Sequence, residues 1–279
     1  MHESSSQHRR ESVLDHNARA WDRLAAAKVA LARPAADDAF DDPRGWLGSG
    51  GAADRPWLPA RLDGLEVLCL AAGGGKHGPL YAAAGAHVTV VDLSPAMLAL
   101  DRAVASERRI DLGIVQGSMD DLRMFAGGRF DLVVHPVSTC YVPDVGRVFR
   151  EVARVTRSGG QYISQHKQPT SLQAGLSPGA SGRFEVEHPL TRRDPLPPGP
   201  PSRLREAGTK EFVHGLTALL GGICRAGFQI EDIFEPDHTR PGAEGGSFAD
   251  RAAYLPPYLR VLARRSGAAA APAARLLVE

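Results

Sequence analysis

Residues 65–98, with the sequence LEVLCLAAGGGKHGPLYAAAGAHVTVVDLSPAML, decide the fold of this 279-residue chain. An apolar segment over 65–70 leads into a triple glycine at 73–75, and a second apolar segment over 87–91 ends on Asp92. The stretch between them is rich in small residues and predicts a helix. This order predicts a strand, a glycine turn, a helix and a second strand with an acid at its tip.

Such a unit is typical of a site for an adenosine-bearing cofactor. Glycines let the backbone approach a ligand closely because no Cβ intervenes. Asp92 lies about 20 residues after the glycines, where a carboxylate accepts hydrogen bonds from ribose hydroxyls. Gly73, Gly75 and Gly78 fit the spacing G-x-G-x-x-G, which by itself suits a nicotinamide or flavin enzyme equally well.

The bulk composition narrows the class of protein. The chain carries 33 Lys and Arg against 32 Asp and Glu, so it lacks the basic excess expected of a protein that binds nucleic acid or an anionic membrane. No apolar stretch approaches the ~18 residues of a membrane span, and no secretory signal is visible. The three cysteines fit neither a disulfide framework nor a metal site. We expect a cytoplasmic protein, monomeric or homodimeric, that acts on a small molecule and holds no metal.

Shifts in composition predict the organisation of the chain. Residues 1–13 are polar and predict a disordered tail, and residues 14–61 predict an N-terminal helix followed by an irregular cap segment. The main domain is expected over 62–265, with a Pro-rich insertion or flexible lid at 167–203. Residues 266–279 have low complexity and predict a flexible tail.

Periodicity and turn residues predict the remaining elements. Ser94 is placed as a helix N-cap and Pro95 at the first helical position, so a helix should run to about Arg109. Other helices are predicted over 18–32, 144–157 and 216–225, the second of them stopped by Gly159 and Gly160. Further strands are predicted over 110–116, 130–135, 161–165, 209–213, 228–233 and 254–264, the last at a sheet edge.

Five segments in order resemble the motifs of class I SAM-dependent methyltransferases. They are the glycine motif VLCLAAGGG (67–75), the ribose-binding acid Asp92, the adenine-flanking QGSMD (116–120), FDLVV (130–134) before the substrate loop, and RVTRSGG (154–160). The segments LCLAAGGG and HPVSTCYVPDV are most similar to a bacterial subgroup with LCLASGGGQQ and HPVSN. An N-x-x-x-W helix precedes the domain in that subgroup, and Asn17 and Trp21 fit it.

The resemblance implies a Rossmann-like class I methyltransferase fold of the α/β class. This fold has a mostly parallel seven-stranded sheet with an antiparallel edge strand, helices on both faces and an N-terminal helical cap. The implied cofactor is S-adenosyl-L-methionine (SAM). The residues expected to bind it are Ala71, Gly73, Gly75, Asp92, Leu93, Ser118, Met119, His135 and Trp21.

Two positions depart from the family pattern. Cys69 replaces an acid that is common in the first motif, so Lys76 or His77 is a candidate to supply charge near the methionine end of the cofactor. Ser118 stands where an Asp commonly contacts the adenine amino group, and a hydroxyl accepts that hydrogen bond less strongly than a carboxylate does.

The chemistry needs few catalytic groups. A methyl group on a sulfonium sulfur is already activated, so the enzyme mainly aligns a nucleophile and excludes water. His135 and Tyr141 are the catalytic candidates, the first bordering the methyl group and the second orienting an acceptor hydroxyl or amine. His166 and His214 are further candidates, and a purely structural role stays open for each of these side chains.

The sequence therefore leaves three functions open. The leading one is methyl transfer from SAM to the oxygen, nitrogen or carbon of a small-molecule acceptor. A SAM-binding cyclase or isomerase without net methyl transfer is the second. An NAD-dependent oxidoreductase is the third, and only the G-x-G-x-x-G spacing motivates it.

Overall fold

The computed structural model of the protein describes residues 2–48 and 57–267, and for residues 2–9 it describes the backbone alone. Within these ranges the chain forms one seven-stranded sheet from β1 (Glu66–Leu70), β2 (His87–Asp92), β3 (Gly113–Gln116), β4 (Phe130–His135), β5 (Thr156–Lys167), β6 (Phe228–Phe234) and β7 (Tyr258–Arg265). The helices are α1 (His2–Ala26), α2 (Pro43–Gly48), α3 (His77–Ala83), α4 (Pro95–Arg108), α5 (Val145–Val155), α6 (Pro169–Gln173), α7 (Leu216–Arg225) and α8 (Phe248–Ala252).

The strand order is β3-β2-β1-β4-β5-β7-β6. The first five strands pair in parallel, and β7 runs antiparallel to both of its neighbours, β5 and β6. This confirms the predicted α/β fold class, with the antiparallel strand one place in from the outermost strand β6. The order reverses between β1 and β4, and in open α/β sheets ligands bind in the crevice outside the carboxyl ends at such a point.

Both faces of the sheet are covered, as the alternation of side chains along β1 shows. Leu68 and Leu70 belong to one buried cluster, which α5 and α7 complete. Val67 and Cys69 belong to a second cluster on the opposite face, which includes Leu98 of α4. Strand β1 is therefore apolar over 67–70 because both of its faces are buried.

Capping at the start of α4 follows the sequence closely. Ser94 Oγ accepts a hydrogen bond of 3.1 Å from the amide of Met97, and Pro95 is the first helical residue. The helix ends at Arg108 because Arg109 adopts the left-handed conformation, with φ of 56°. The predicted β4 and α7 also have the bounds found in the structure.

The N-terminal prediction is wrong in two respects. Residues 2–13, expected to be a disordered tail, belong to α1, and this helix ends at Ala26 rather than at Ala32. The reason is tertiary contact: Val13 and Leu14 are buried, and Arg10 forms an ion pair with Asp120. These contacts hold a segment whose composition alone does not favour a stable helix.

The junction after α5 also differs from the prediction. The helix ends at Val155, and β5 begins at the next residue, so Gly159 and Gly160 lie inside the strand rather than stopping the helix. The pairing of β4 with β5 shifts register between Phe130 and Leu132, which absorbs the extra residues of β5. The strand is therefore longer at both ends than the predicted 161–165.

Three further differences concern the predicted strands. Residues 209–213 form no strand, because the amide of Phe212 donates to the carbonyl of Cys140 in a short 3₁₀ helix and the carbonyl of Glu211 accepts from the amide of Leu196 in a loop. Strand β7 begins at Tyr258 and lies between β5 and β6. Strand β3 begins at Gly113 rather than at residue 110. The predicted flexible tail lies outside the described residues from position 268 onward, as do residues 49–56 of the cap segment.

Candidate functional site

A cavity of about 580 Å³ lies at the carboxyl ends of β1, β2, β4 and β5. Its size is that of an ordinary small-molecule site. The walls come from α1, the glycine turn after β1, the ends of β2 and β4, the cap segment, and residues of β5 and β7. The predicted site residues that line it are Trp21, Ala71, Gly73, Asp92, Leu93, Ser118, Met119, His135 and Tyr141.

Asp92 and the glycine turn hold each other in place. Asp92 Oδ2 accepts a hydrogen bond of 2.9 Å from the Gly73 amide, and Oδ1 accepts one of 2.9 Å from the Ser94 amide. Burial raises the pKa of Asp92, while these hydrogen bonds act in the opposite direction. A carboxylate offers about four lone-pair sites, so Asp92 retains acceptor capacity toward a ligand in the cavity.

Gly75 does not line the cavity, so its predicted contact with the cofactor is not supported. Its φ is 74°, which an L side chain rarely adopts. A Cβ there would lie 3.0 Å from Val104 and 3.2 Å from the Leu100 carbonyl. Gly75 therefore serves the close packing of the turn against α4.

Asp101 lies beneath the same turn and was missed by the sequence analysis. This fully buried side chain accepts a hydrogen bond of 2.8 Å from the Gly74 amide through Oδ2. Its Oδ1 has no hydrogen-bond partner among the described residues, and burial raises its pKa to about 7. An acid on the inner face of a helix is the only sequence signal for this role.

Of the two departures from the family pattern, Cys69 lies away from the cavity, and the candidate for supplying charge in its place, Lys76, lies in the wall. Cys69 is completely buried in the sheet and does not line the cavity, and burial raises the pKa of its thiol. Lys76 does line the cavity, and its ammonium donates to the carbonyls of Ala30 and Leu31 at 3.3 and 3.1 Å. The Lys76 ammonium therefore supplies a positive charge next to the glycine turn, and Cys69 leaves the first motif without its usual acid.

Helix α1 covers one side of the cavity and is attached to the domain at several points. Arg10 donates to both carboxylate oxygens of Asp120, at 2.5 and 2.6 Å. Ser94 Oγ donates to Asp22 at 2.6 Å, close to the other end of the helix. Between these anchors, Trp21 packs edge-on against Tyr141 with ring centroids 5.8 Å apart.

Asn17 forms the central attachment of α1. Its side chain is 2% exposed and donates to the carbonyls of Tyr141 and Lys210 at 3.0 and 3.1 Å. Its amide oxygen accepts from the Lys210 amide at 2.8 Å. The helix is thereby joined to the loop after β4 and to the segment that follows the Pro-rich insertion.

His135 lies in the cavity wall at the end of β4 as a neutral imidazole. Its Nδ1 is 2.8 Å from the Tyr162 hydroxyl, and its Nε2 is 2.6 Å from Ser138 Oγ. Burial lowers the pKa of His135 to about 3. With both ring nitrogens engaged and such a low pKa, this side chain is placed to border a bound group and not to act as a strong base.

The other two histidine candidates lie outside the cavity wall. His166 is fully buried, and its ring nitrogens lie 2.9 Å from the hydroxyls of Thr139 and Ser164. Burial lowers its pKa to about 3. His214 makes a 2.9 Å hydrogen bond with the Val142 carbonyl. Both side chains therefore have the structural role that the sequence left open.

Tyr141 belongs to a buried ionic cluster that the sequence did not reveal. Its hydroxyl donates to Glu206 Oε2 at 2.6 Å, and the fully buried Lys167 ammonium donates to the same oxygen at 2.5 Å. Glu211 lies 3.3 Å from Lys167, and Arg205 lies 3.2 Å from Glu211. Burial raises the pKa of Tyr141, and so does the charge of Glu206, so its hydroxyl stays protonated.

The comparisons with known proteins agree with this geometry. A family model described as "Methyltransferase domain" matches residues 68–164. The chain is 38% identical over 184 residues to the uncharacterized methyltransferase YbaJ of Bacillus subtilis (strain 168), which covers 65% of this chain and 72% of that protein. It is 31% identical over 193 residues to the ubiquinone biosynthesis O-methyltransferase of Xanthomonas axonopodis pv. citri (strain 306), covering 66% of this chain and 73% of that one.

A solved methyltransferase structure also matches the chain. The crystal structure of an S-adenosylmethionine dependent methyltransferase from Mesorhizobium loti matches with a TM-score of 0.59 and 26% sequence identity. The match covers 81% of this chain and the whole of that one.

Proposed function

The chain belongs to the class I SAM-dependent methyltransferase family, and on that premise we propose that it transfers a methyl group from SAM to a small-molecule acceptor. One observation carries the proposal: a single cavity joins the glycine turn and Asp92 to a second wall formed by β4, β5 and β7. Methyl transfer requires such continuity, because the donor sulfur and the accepting atom must meet in line.

The residues at the end of β1 and β2 fit the cofactor. Asp92 has acceptor capacity for ribose hydroxyls, and Leu93 and Met119 give apolar surface beside the Ser118 hydroxyl for the adenine. Lys76, next to the glycine turn, is placed to neutralise the carboxylate of the methionine portion. When bound, SAM supplies a methyl group that is already activated by a sulfonium sulfur.

The protein residues around the reacting atoms exclude water and control charge. Trp21 on α1 and the buried Trp57 of the cap segment line the cavity and shield it from solvent. His135 is neutral at physiological pH, so it does not repel a sulfonium cation. Glu206 places a carboxylate in the wall, where Tyr141 and Lys167 hold it in position.

A small acceptor fits the dimensions and charge of the molecule. A cavity of about 580 Å³ that must also hold the cofactor leaves the remaining volume for an acceptor of small size. The nearly equal numbers of acidic and basic residues support the same class, because nucleic-acid binding needs an excess of basic charge.

The proposal is tested with SAM that carries an isotopic label in its methyl group. The protein is incubated with labelled SAM and a pool of small metabolites, and products are read by mass spectrometry. We expect the label in one or a few small molecules, with an equal amount of S-adenosylhomocysteine formed. Conversion of a metabolite without formation of S-adenosylhomocysteine would contradict methyl transfer and favour a cyclase or isomerase.

A matched pair of variants links the result to the cavity. Asp92→Ala should abolish label transfer, whereas Asp111→Ala, at an exposed position before β3, should leave it unchanged. Equal loss in both variants would show that the effect does not come from the proposed cofactor site.

A further inference from the structure

Glu206 lies in the cavity wall with one carboxylate oxygen held by donors and the other available to a ligand. Its Oε2 accepts from the Tyr141 hydroxyl at 2.6 Å and from the Lys167 ammonium at 2.5 Å. Its Oε1 accepts no hydrogen bond from the residues that the structure describes, although the side chain is only 6% exposed. This oxygen is not sealed inside the protein, so a molecule in the cavity can reach it.

Lys167 keeps the carboxylate of Glu206 in one place. Its ammonium is fully buried at the end of β5 and lies between Glu206 and Glu211. Burial acts against this charge, but the nearby acidic groups outweigh burial and raise the pKa of Lys167. Arg205 lies 3.2 Å from Glu211, so two cations balance two carboxylates in this cluster. Glu206 is therefore a fixed carboxylate whose neighbours leave no excess charge.

A chain of contacts places Glu206 away from the cofactor residues. Tyr141, which donates to Glu206, also donates its amide to the Ser138 carbonyl at 2.9 Å. Ser138 Oγ lies 2.6 Å from Nε2 of His135, at the end of β4. Asp92 is at the end of β2, on the other side of the point where the strand order reverses. Glu206 therefore belongs to the half of the cavity left for the acceptor.

The other titratable groups of the described cavity wall are poor proton acceptors. Burial lowers the pKa of His77 to about 4 and that of His135 to about 3. Asp92, the other carboxylate in this wall, is bonded to the glycine turn. Burial raises the pKa of the tyrosines in the wall, which are Tyr81, Tyr141 and Tyr258. Glu206 is thus the group on the acceptor side that can take a proton.

We propose that Glu206 accepts the proton of a hydroxyl group on the methyl acceptor, so that the protein methylates an alcohol or a phenol. The acceptor oxygen bonds to the methyl carbon, and the bond from that carbon to the sulfonium sulfur breaks with its electron pair left on sulfur. The hydroxyl proton passes to Glu206 Oε1, as in general-base catalysis. This inference rests on the proposed function, because it names the accepting atom in the same cavity.

The surroundings favour a neutral hydroxyl over an ammonium group. Lys167 donates to Oε2 of the same carboxylate, so a second cation at Oε1 would meet a positive charge that buried surroundings screen little. A neutral amine attacks through a lone pair that it already has, and it needs no base early in the reaction. A hydroxyl oxygen becomes more nucleophilic as it gives up its proton, so an acceptor of this class gains from Glu206.

The test uses 4-nitrophenol and its methyl ether, 4-nitroanisole, as probes on protein saturated with S-adenosylhomocysteine. At a pH where free 4-nitrophenol is protonated, we expect it to bind at least tenfold more tightly than the ether, since hydrogen bonds to charged groups are strong. The visible absorbance of the phenolate reports ionisation of the bound probe. Bound 4-nitrophenol should ionise at a higher pH than the free probe, because the Glu206 carboxylate opposes a second negative charge.

A matched pair of variants assigns the effect to Glu206. Lys167 and Tyr141 both donate to one position, so Glu206→Gln should place its amide oxygen there and its NH₂ group at the other position. This variant should lose the preference for 4-nitrophenol and ionise the bound probe at a lower pH than the unmodified protein does. Glu211→Gln removes a charge beside the same lysine from a side chain outside the cavity wall, and should keep both properties.

The outcomes distinguish this inference from the function on which it rests. Equal affinity for the two probes in the unmodified protein, including no detectable binding of either, would overturn the role of Glu206. A preference and an ionisation pH that survive Glu206→Gln would do the same, with thermal unfolding as the check that the variant is folded. Failure of the unmodified protein to bind S-adenosylhomocysteine would instead contradict the proposed function.

Discussion

Asp92 accepts a hydrogen bond of 2.9 Å from the amide of Gly73, so the acid at the end of β2 also fixes the glycine turn at the end of β1. The close approach depends on the missing side chain. A Cβ at Gly73 would lie 2.9 Å from the Cβ of Met97 and 3.0 Å from the Asp92 carboxylate. Two parts of the proposed cofactor site therefore depend on one another.

Gly73→Ala should displace the Asp92 carboxylate and weaken binding of S-adenosylhomocysteine about tenfold or more. We also expect the free energy of unfolding to fall by ~1–3 kcal/mol, as is typical of overpacking. Titration calorimetry and urea unfolding measure the two effects. Gly245→Ala is the control, because a Cβ at Gly245 meets nothing within 4 Å. Unchanged affinity in Gly73→Ala would show that the turn does not position Asp92.

Arg10→Gln should speed the release of S-adenosylhomocysteine by several-fold. The change removes the ion pair with Asp120 and loosens the first part of α1, which covers the cavity through Leu14 and Trp21. Stopped-flow fluorescence of the tryptophans measures the release rate. Arg19→Gln alters an exposed residue of the same helix and should release the ligand at the original rate. Equal rates in all three proteins would contradict a covering role for this end of α1.

Lys167→Met should destabilise the protein strongly. The change leaves Glu206 and Glu211 without their shared cation in a buried setting, and breaking such a pair costs ~3–5 kcal/mol. Urea unfolding measures the loss. The exposed pair of Arg123 with Asp121 provides the comparison, because Arg123→Met should leave the free energy of unfolding almost unchanged. A similarly small effect of Lys167→Met would mean that the cluster adds little to stability.

Acid should destabilise the fold through the two buried histidines. The pKa of His135 and that of His166 are lowered from 6.5 to about 3. Between these pH values the unfolded chain therefore binds protons at the two imidazoles, and the folded protein does not. Their contribution to stability is complete above pH 6.5 and is lost as pH falls toward 3, by ~1.4 kcal/mol per unit for each group. Asp101, with a pKa raised to about 7, acts in the opposite sense over the same range.

Comparison with a variant isolates the histidine effect from that of Asp101. The difference in free energy of unfolding between the unmodified protein and His135→Gln should shrink by ~1.4 kcal/mol from pH 7.5 to 5.5. Gln229→Asn changes an exposed residue of β6 that carries no titratable group and should keep a constant difference. A constant difference for His135→Gln as well would show that this imidazole titrates normally in the folded protein.

The sequence was sufficient where local chemistry determines structure. Ser94 and Pro95 predicted the start of α4, and the apolar segment over 130–135 predicted β4. Helix capping and strand burial each require particular residue types at neighbouring positions, which can be recognised in the sequence. The same logic placed Asp92 and His135 at the carboxyl edge of the sheet. It failed for residues 2–13, whose helix is held by contacts with a distant loop.

The side of the cavity formed by β4, β5 and β7 could not be predicted from the sequence for a related reason. Lys167 and Glu206 are 39 positions apart, and Gln165 and Arg260 are 95 apart, yet each pair shares a hydrogen bond. No periodicity or motif joins residues over such separations. The segments that bring them together, the one that follows the Pro-rich insertion and β7, lie outside the five motifs that identified the cofactor half.

The central claim is that this cavity binds SAM through Asp92, and titration calorimetry with S-adenosylhomocysteine tests it most directly. We predict one site per chain with micromolar affinity, and binding at least tenfold weaker in Asp92→Ala. NAD titrated under the same conditions should give no heat of binding. Absence of S-adenosylhomocysteine binding, or tight binding of NAD in its place, would contradict the account.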